Sequence, residues 1–367
     1  MSDHSKLSPS SAHRWVHCPG SVQMSEQFPN ESGAAALEGE AAHWVGSEVL
    51  SGRGGDPFVG RTAPNGVIIT EEMVDSAKVY VAAVHSVTPH LKRLVEQRVE
   101  IPTVHADCQG TPDCVVFSEC EELHIFDLKY GYGVVEPWDN WQLICYAAGH
   151  VTPTTRFVSL HIVQPRPFHY DGPHRTWRIG AGVLADYISK LTTAAIEALS
   201  ANPRTISGSH CHYCLAMKNN ACSTGRGAAG NAIDFISHTR VELMSPAALS
   251  YALQTIFRAE EAIKFVRAGL ESQAQGIFNS GGNVPGWMLQ AGTGRQQWKV
   301  PVAEVIALSQ VMGIDLCKSV DTITPAQARK AGLSEDIVNM FSERQSGEKK
   351  LVPFNDVKIS AVFGGAA

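Results

Sequence analysis

The chain has 367 residues, 44% of them apolar and 18% charged, and a net charge of -6. That is a globular balance in a chain longer than a usual single domain, so two units are expected, residues 1–230 and 235–367. No stretch approaches the roughly 18 apolar residues needed to cross a bilayer, which excludes a membrane-spanning helix, and a cytoplasmic protein is expected. The acidic balance excludes a broadly basic nucleic-acid surface but leaves room for a local groove.

In chain order, Ser8 to Val16 reads as a short capped helix that stops at Cys18-Pro19-Gly20. Ala34 to Leu50 and Glu71 to Leu91 read as two further helices. The period then shortens, and strands are expected at Val95 to Ile101, Asp113 to Phe117 and Leu123 to Leu128. Trp138 to His150 returns to helical spacing, Phe157 to Val163 is a strand, and Gly182 to Leu199 is a long helix. This order predicts an α/β core with a mixed sheet. The Gly/Ala-rich stretch Arg226 to Asn231 reads as a linker, followed by a long helix from Ser245-Pro246 to Asn279, a strand-like piece from Trp287 to Trp298 and shorter helices.

The segment richest in chemistry is Gly110-Thr111-Pro112-Asp113 with Asp127-Leu128-Lys129. Residues two apart on a strand point the same way, so Asp127 and Lys129 share one face while Leu128 enters the other. Asp113 begins the preceding strand and meets them across the hairpin. Hydrolysis of a phosphodiester needs a cation to draw off phosphoryl charge and make hydroxide at neutral pH, and hard divalent ions take clustered carboxylate oxygens. A nearby ammonium such as Lys129 positions water or neutralises developing charge. The plainer reading is an exposed hairpin with solvated Asp and Lys. Against it stand His43, on a small-residue helix where an imidazole completes a metal shell, and Gln142 with Tyr146, four apart on one helix face.

Taken in order, Gly39-x-x-x-His43, Gly110-Thr111-Pro112-Asp113, Asp127-Leu128-Lys129 and Gln142-x-x-x-Tyr146 resemble the RecB-like branch of the PD-(D/E)XK nucleases, over roughly residues 8–225. The likeness is greatest to phage-encoded members. It implies a restriction-endonuclease-like core, a central mixed sheet flanked by helices. It implies that His43, Asp113, Asp127 and the main-chain carbonyl of Leu128 bind Mg or Mn, that Lys129 is catalytic, and that Gln142 and Tyr146 contact the substrate strand. The activity implied is exonucleolytic cutting of DNA by metal-assisted attack of water, with a single-strand annealing protein as partner in a phage recombination setting. Rival expectations are a restriction-type endonuclease of the same superfamily, a non-catalytic DNA-binding recombination module and an RNA-directed nuclease.

Nine cysteines, an odd number, argue for thiols or metal ligands over disulfides. Cys211-x2-Cys214-x7-Cys222 and the distant Cys18 make four thiolates, enough for zinc or a 4Fe-4S cubane, and spacing alone does not choose between them. His17, His210 and His212 are alternative ligands for zinc. One cysteine before the nuclease motifs and three after them resembles the iron-sulfur exonucleases of the same branch, AddB-type and CRISPR-associated ones included. There the cluster staples the first helix to the end of the nuclease domain. The remaining cysteines, Cys317 among them, are assigned to packing. The C-terminal region is expected to be a smaller, mainly helical accessory domain. It carries no Gly-Lys pair and hence no Walker A motif. Trp287, Arg295, Trp298 and Lys299 read either as core anchors or as a stacking site for single-stranded DNA.

Overall fold

A computed structural model describes residues 5–29, 33–53, 58–238, 244–298, 300, 302–312, 314, 325–330 and 332–353. Two compact units divide the chain, Met1–Gly269 and Leu270–Ala367.

The first unit opens with α1 (Ala12–His17) and α2 (Ser21–Ser25), which a short 3-10 turn over Pro9–Ser11 precedes. Trp15 anchors this entry, fully buried and donating its Nε1 proton to the Ser8 carbonyl at 3.1 Å. Helix α3 (Ala34–Leu50) keeps the expected bounds, and α4 (Glu71–His85) starts where Thr70 accepts from the Met73 amide at 3.3 Å. The expected run of α4 to Leu91 ends early. Residues from His90 leave the helix as the strand β1 (His90–Val95), which finds its ladder partners on a neighbour in the sheet.

The strand expected over Val95 to Ile101 is also broken. Glu96 takes a left-handed backbone (φ 48°), and only the two-residue β2 (Val99–Glu100) pairs beyond it, with β3 (Gln109–Gly110). Strands β4 (Cys114–Ser118) and β5 (Glu122–Leu128) form the expected hairpin, with Cys114 opposite Phe126 and Phe117 opposite Leu123. Helix α5 (Trp141–His150) begins at Asn140, whose side chain accepts from the Leu143 amide at 3.2 Å. Strand β6 (Phe157–Val163) returns parallel to β5, and β7 (His174–Gly180) closes the sheet before α6 (Ala181–Ala198). The sheet order is β1-β4-β5-β6-β7, mixed as expected. Strand β7 was not foreseen, because polar His174, Arg175, Thr176 and Arg178 obscure its alternation.

Helices cover both sides. Val115, Leu123, Ile125, Val158, Leu160 and Ile162 pack on α5, α6 and α1, while Val116, Phe126, Leu128 and Val163 pack with Tyr80, Ala83 and Val84 of α4. Each such fully buried Leu, Ile or Phe contributes about 1.5–3 kcal/mol. The unit continues through α7 (Leu215–Lys218) and α8 (Ser223–His238) into α9 (Pro246–Asn279). The stretch Arg226 to Asn231, expected as a linker, lies inside α8: its alanines favour the helix enough to carry its glycines.

The second unit contains β8 (Trp287–Trp298), α10 (Val302–Val311), α11 (Pro325–Lys330), α12 (Glu335–Phe341) and β9 (Ser342–Pro353). Strand β8 falls on the strand-like piece expected at Trp287 to Trp298, while its long antiparallel partner β9 stands where only short helices were expected. The unit's small core comprises Val305, Ala328, Leu333 and Val338. Trp287 is partly exposed at the start of β8. Lys299, Cys317 and the side chains of Arg295 and Trp298 lie outside the described residues. Among those residues no helix is long and apolar enough to cross a membrane.

Candidate functional site

Strand register brings the expected residues together. Cys114 pairs with Phe126, so Asp113, one step back, stands beside Asp127, and both share a face with Ile125 on the α5 side of the sheet. From α3, His43 reaches in and places its Nδ1 3.1 Å from Asp113 Oδ1. The other Asp113 oxygen accepts the Leu128 amide at 2.6 Å, tying the start of β4 to the end of β5. The Leu128 side chain enters the opposite core, as its position in the strand requires.

Lys129 Nζ lies 2.8 Å from Asp127 Oδ2 and donates to Gln142 Oε1 at 3.0 Å, while Gln142 Nε2 donates to Asp127 Oδ1 at 2.9 Å. One turn further along α5, Tyr146 gives its hydroxyl proton to the Thr111 carbonyl at 3.0 Å. Tyr146 thus braces the turn ahead of Asp113. Gly110, at the head of that turn, has a steric reason to be glycine: a Cβ there would sit 2.8 Å from Pro9 Cδ and 3.1 Å from Tyr146 Cε1.

Electrostatically the site is an alternation of charges in low dielectric. Burial opposes the His43 imidazolium, but the Asp113 carboxylate outweighs it and pushes the imidazole up to about 9. Burial also opposes ionisation of Asp113, yet His43 and the Leu128 amide hold its carboxyl below the usual value. For Asp127, burial and the neighbouring Asp113 prevail over Lys129 and raise it. The Lys129 ammonium resists desolvation because Asp127 faces it, and it remains a cation.

Glu96 is a member of this site that the sequence did not disclose. Its amide donates to the Asp113 carbonyl at 3.1 Å, and one ligand atom each from His43, Glu96 and Asp113 lies within 4.8 Å of the others. Desolvation, with the charge of Asp113 added, pushes its acid up to about 7. The only signal available was that a glutamate follows the apolar end of β1; the left-handed turn that aims it at Asp113 has no mark in the sequence.

These residues suit a divalent cation. Asp127 is 2% exposed and ion-paired through its Oδ2 with Lys129 at 2.8 Å, beside the group of His43, Glu96 and Asp113 whose ligand atoms converge. An imidazole, three carboxylates and a strand-end carbonyl are the oxygen-rich donor set that Mg or Mn takes.

The cysteines gather elsewhere in the same unit. Cys211, Cys214 and Cys222 are buried with Met24, Phe28, Met217 and Phe265, and Cys18 is close enough for its thiol to be raised by Cys214 and Cys222 after burial itself. Burial likewise pushes Cys211 up to about 11. Two backbone amides already donate to sulfur, Ile206 to Cys18 at 3.3 Å and Gly225 to Cys222 at 3.4 Å. Four soft thiolate donors of this kind suit zinc and an iron-sulfur cluster alike.

A family model described as "Protein of unknown function (DUF2800)" matches residues 4–358. Among solved structures the chain is similar to LHK-Exo in complex with dAMP, at a TM-score of 0.30 and 13% identity over 53% of this chain and 88% of that one. It is also similar to an alkaline exonuclease (LHK-Exo) from Laribacter hongkongensis, at a TM-score of 0.27 and 12% identity over the same shares.

Proposed function

The chain belongs to the DUF2800 family, and from the geometry of its site we propose that it is a divalent-metal-dependent DNA exonuclease of the RecB-like PD-(D/E)XK type. The observation that carries this reading is the meeting of His43, Asp113, Asp127 and Lys129, drawn from α3, the β4–β5 hairpin and the residue after it.

His43, Asp113, Asp127 and the Leu128 carbonyl would hold Mg or Mn, with Glu96 added from the end of β1. Bound there, the cation supplies Lewis-acid charge at the phosphoryl group and makes a water acidic enough to attack. Lys129, fixed between Asp127 and Gln142, keeps its proton and places positive charge where the phosphorane develops its negative charge. Gln142 holds acid and ammonium in register from α5, and Tyr146 keeps Asp113 in place by bracing Thr111. Both also stand beside the scissile strand in this reading. Cys18, Cys211, Cys214 and Cys222 would hold a 4Fe-4S cluster that staples the first helix to residues 211–222. The nuclease function is assigned to residues 1–230, and residues 235–367 to an accessory role. DNA is the substrate, and the resemblance to phage-encoded nucleases adds a single-strand annealing protein as partner in a recombination setting.

The test is cutting of end-labelled linear and closed circular DNA by anaerobically purified protein with Mg or Mn. The expected result is resection from ends, abolished in Asp127→Ala and Lys129→Ala while the visible absorption persists. Cys214→Ser is expected to bleach that absorption. Nicking of circles would indicate an endonuclease instead, and undiminished activity in either active-site variant would remove the reading.

A further inference from the structure

Two loops beside the site expose aromatic rings that the chemistry above does not use. One runs from Tyr130, next to Lys129, to Asn140, the cap of the helix that bears Gln142; the other joins β6 to β7. Tyr132 is 64% exposed, Phe168 93% and Tyr170 80%. Single exposed apolar residues are ordinary, but three exposed rings on two loops tied to each other beside a site mark a binding surface.

The loops are held rigidly. Gln164, fully buried, donates from Nε2 to the Gly131 and Gly133 carbonyls at 2.9 and 2.8 Å and accepts the Val135 amide at 3.0 Å. Arg175, also buried, donates to the Val135 carbonyl at 2.7 Å and to the Gly172 carbonyl at 3.1 Å. His169 pairs with Glu136 across the two loops at 3.1 Å. Arg166 lies 3.7 Å from the centre of the Tyr130 ring and 4.8 Å from that of Tyr132, bonded at the same time to Glu38 and Glu72. This scaffold makes loop tips behave as a preformed surface, so its rings lose little freedom when covered.

Glu38, Glu72 and Glu136 neutralise the guanidinium of Arg166 and the imidazole of His169, so the rings, and not these charges, are what the two loops offer a ligand. Ring faces take any nucleobase without regard to sequence, and continuity with the metal centre puts them next to a bound strand. We propose that Tyr132, Phe168 and Tyr170 form a base-stacking platform for unpaired nucleotides of the DNA strand entering the metal site. This rests on the nuclease reading and adds to it a substrate feature, a single-stranded segment beside the cut.

The experiment uses the full chain in EDTA, so that nothing is cut. The probes are a fluorescein-labelled single-stranded oligonucleotide, and one carrying 2-aminopurine near its end. Phe168→Ala, Tyr170→Ala and Tyr132→Ala are each expected to weaken single-strand binding roughly ten-fold and to relieve 2-aminopurine quenching, with Phe168→Trp restoring both. Thermal melting checks that each variant is folded, which the exposure of these rings favours. Unchanged affinity and quenching in all three alanine variants would overturn the platform. So would unchanged DNA binding combined with loss of binding to an annealing protein, which would make these rings a protein-docking surface. Wild-type protein that binds and quenches but never hydrolyses DNA with Mg or Mn would sink the nuclease reading and leave the platform standing.

Discussion

Gln142 grips Asp127 through a 2.9 Å hydrogen bond from its Nε2 to the carboxylate Oδ1, which makes the first turn of α5 a support for the end of β5. Its other amide atom takes a proton from Lys129, so one side chain sets the separation of acid and ammonium. Gln142→Leu keeps the size but removes both bonds, and activity is expected to fall roughly 10- to 100-fold with melting temperature nearly unchanged. Single-turnover cutting of labelled DNA reads this directly; a variant with wild-type rate would show that the amide is dispensable.

Binding of a divalent ion should release a proton from His43. Unliganded, the imidazole is held up to about 9 by Asp113, so it is charged at neutral pH, whereas a metal ligand must be neutral. Affinity for Mn should therefore rise with pH through the neutral range and level off near 9. Calorimetric titration at pH 7.5 in buffers of different ionisation heat should report about one proton released per ion at this site, and His43→Ala should remove most of that release, leaving the smaller share from Glu96. Identical heats in every buffer would contradict the arrangement.

How much of this was legible in the sequence follows from which residues act locally. Asp113, Asp127 and Lys129 sit on a hairpin whose alternation sets their faces, and the 3.6-residue period puts Gln142 and Tyr146 on one side of α5, so these were readable. Glu96 was not, because its placement depends on a left-handed turn and on a pairing with β4 that only the folded sheet creates. Gln164 and Arg175 were hidden for the same reason: nothing in a polar residue's neighbours announces that it will be buried as a cross-link between loops.

A row of histidines gives the fold a built-in sensitivity to acid. His124, His161 and His174 stand on β5, β6 and β7, with His161 3.0 Å from each of the other two, 2.9 Å from Thr176 Oγ1, and stacked on Phe126 at 4.0 Å. Burial first, then repulsion from His124 and His174, holds His161 well below 6.5. A histidine whose folded value is depressed favours folding fully above 6.5, where both states are neutral, and loses that contribution as pH falls below 6.5 because the unfolded chain takes up the proton first. Melting temperature should accordingly drop between pH 7 and 5, and His161→Phe should flatten the drop. A variant with the same slope as the parent would place the acid sensitivity elsewhere.

The two glycines that open the histidine and first aspartate motifs should respond oppositely to a methyl group. Gly39 lies inside α3, and a Cβ there meets nothing within 4 Å, so Gly39→Ala gains helix propensity alone and should stabilise the protein by about 1 kcal/mol. At Gly110 the same atom would press on Pro9 at 2.8 Å and on Tyr146 at 3.1 Å. Relieving that contact has to move either the N-terminal turn or the phenol that braces Thr111, at a cost of about 1–3 kcal/mol. Because Asp113 follows that turn, Gly110→Ala should also slow cutting, whereas Gly39→Ala should not. Urea unfolding of the two variants beside the parent, together with their cutting rates, decides the matter; equal losses at both positions would mean that Gly39 is constrained by something other than the packing around its α-carbon.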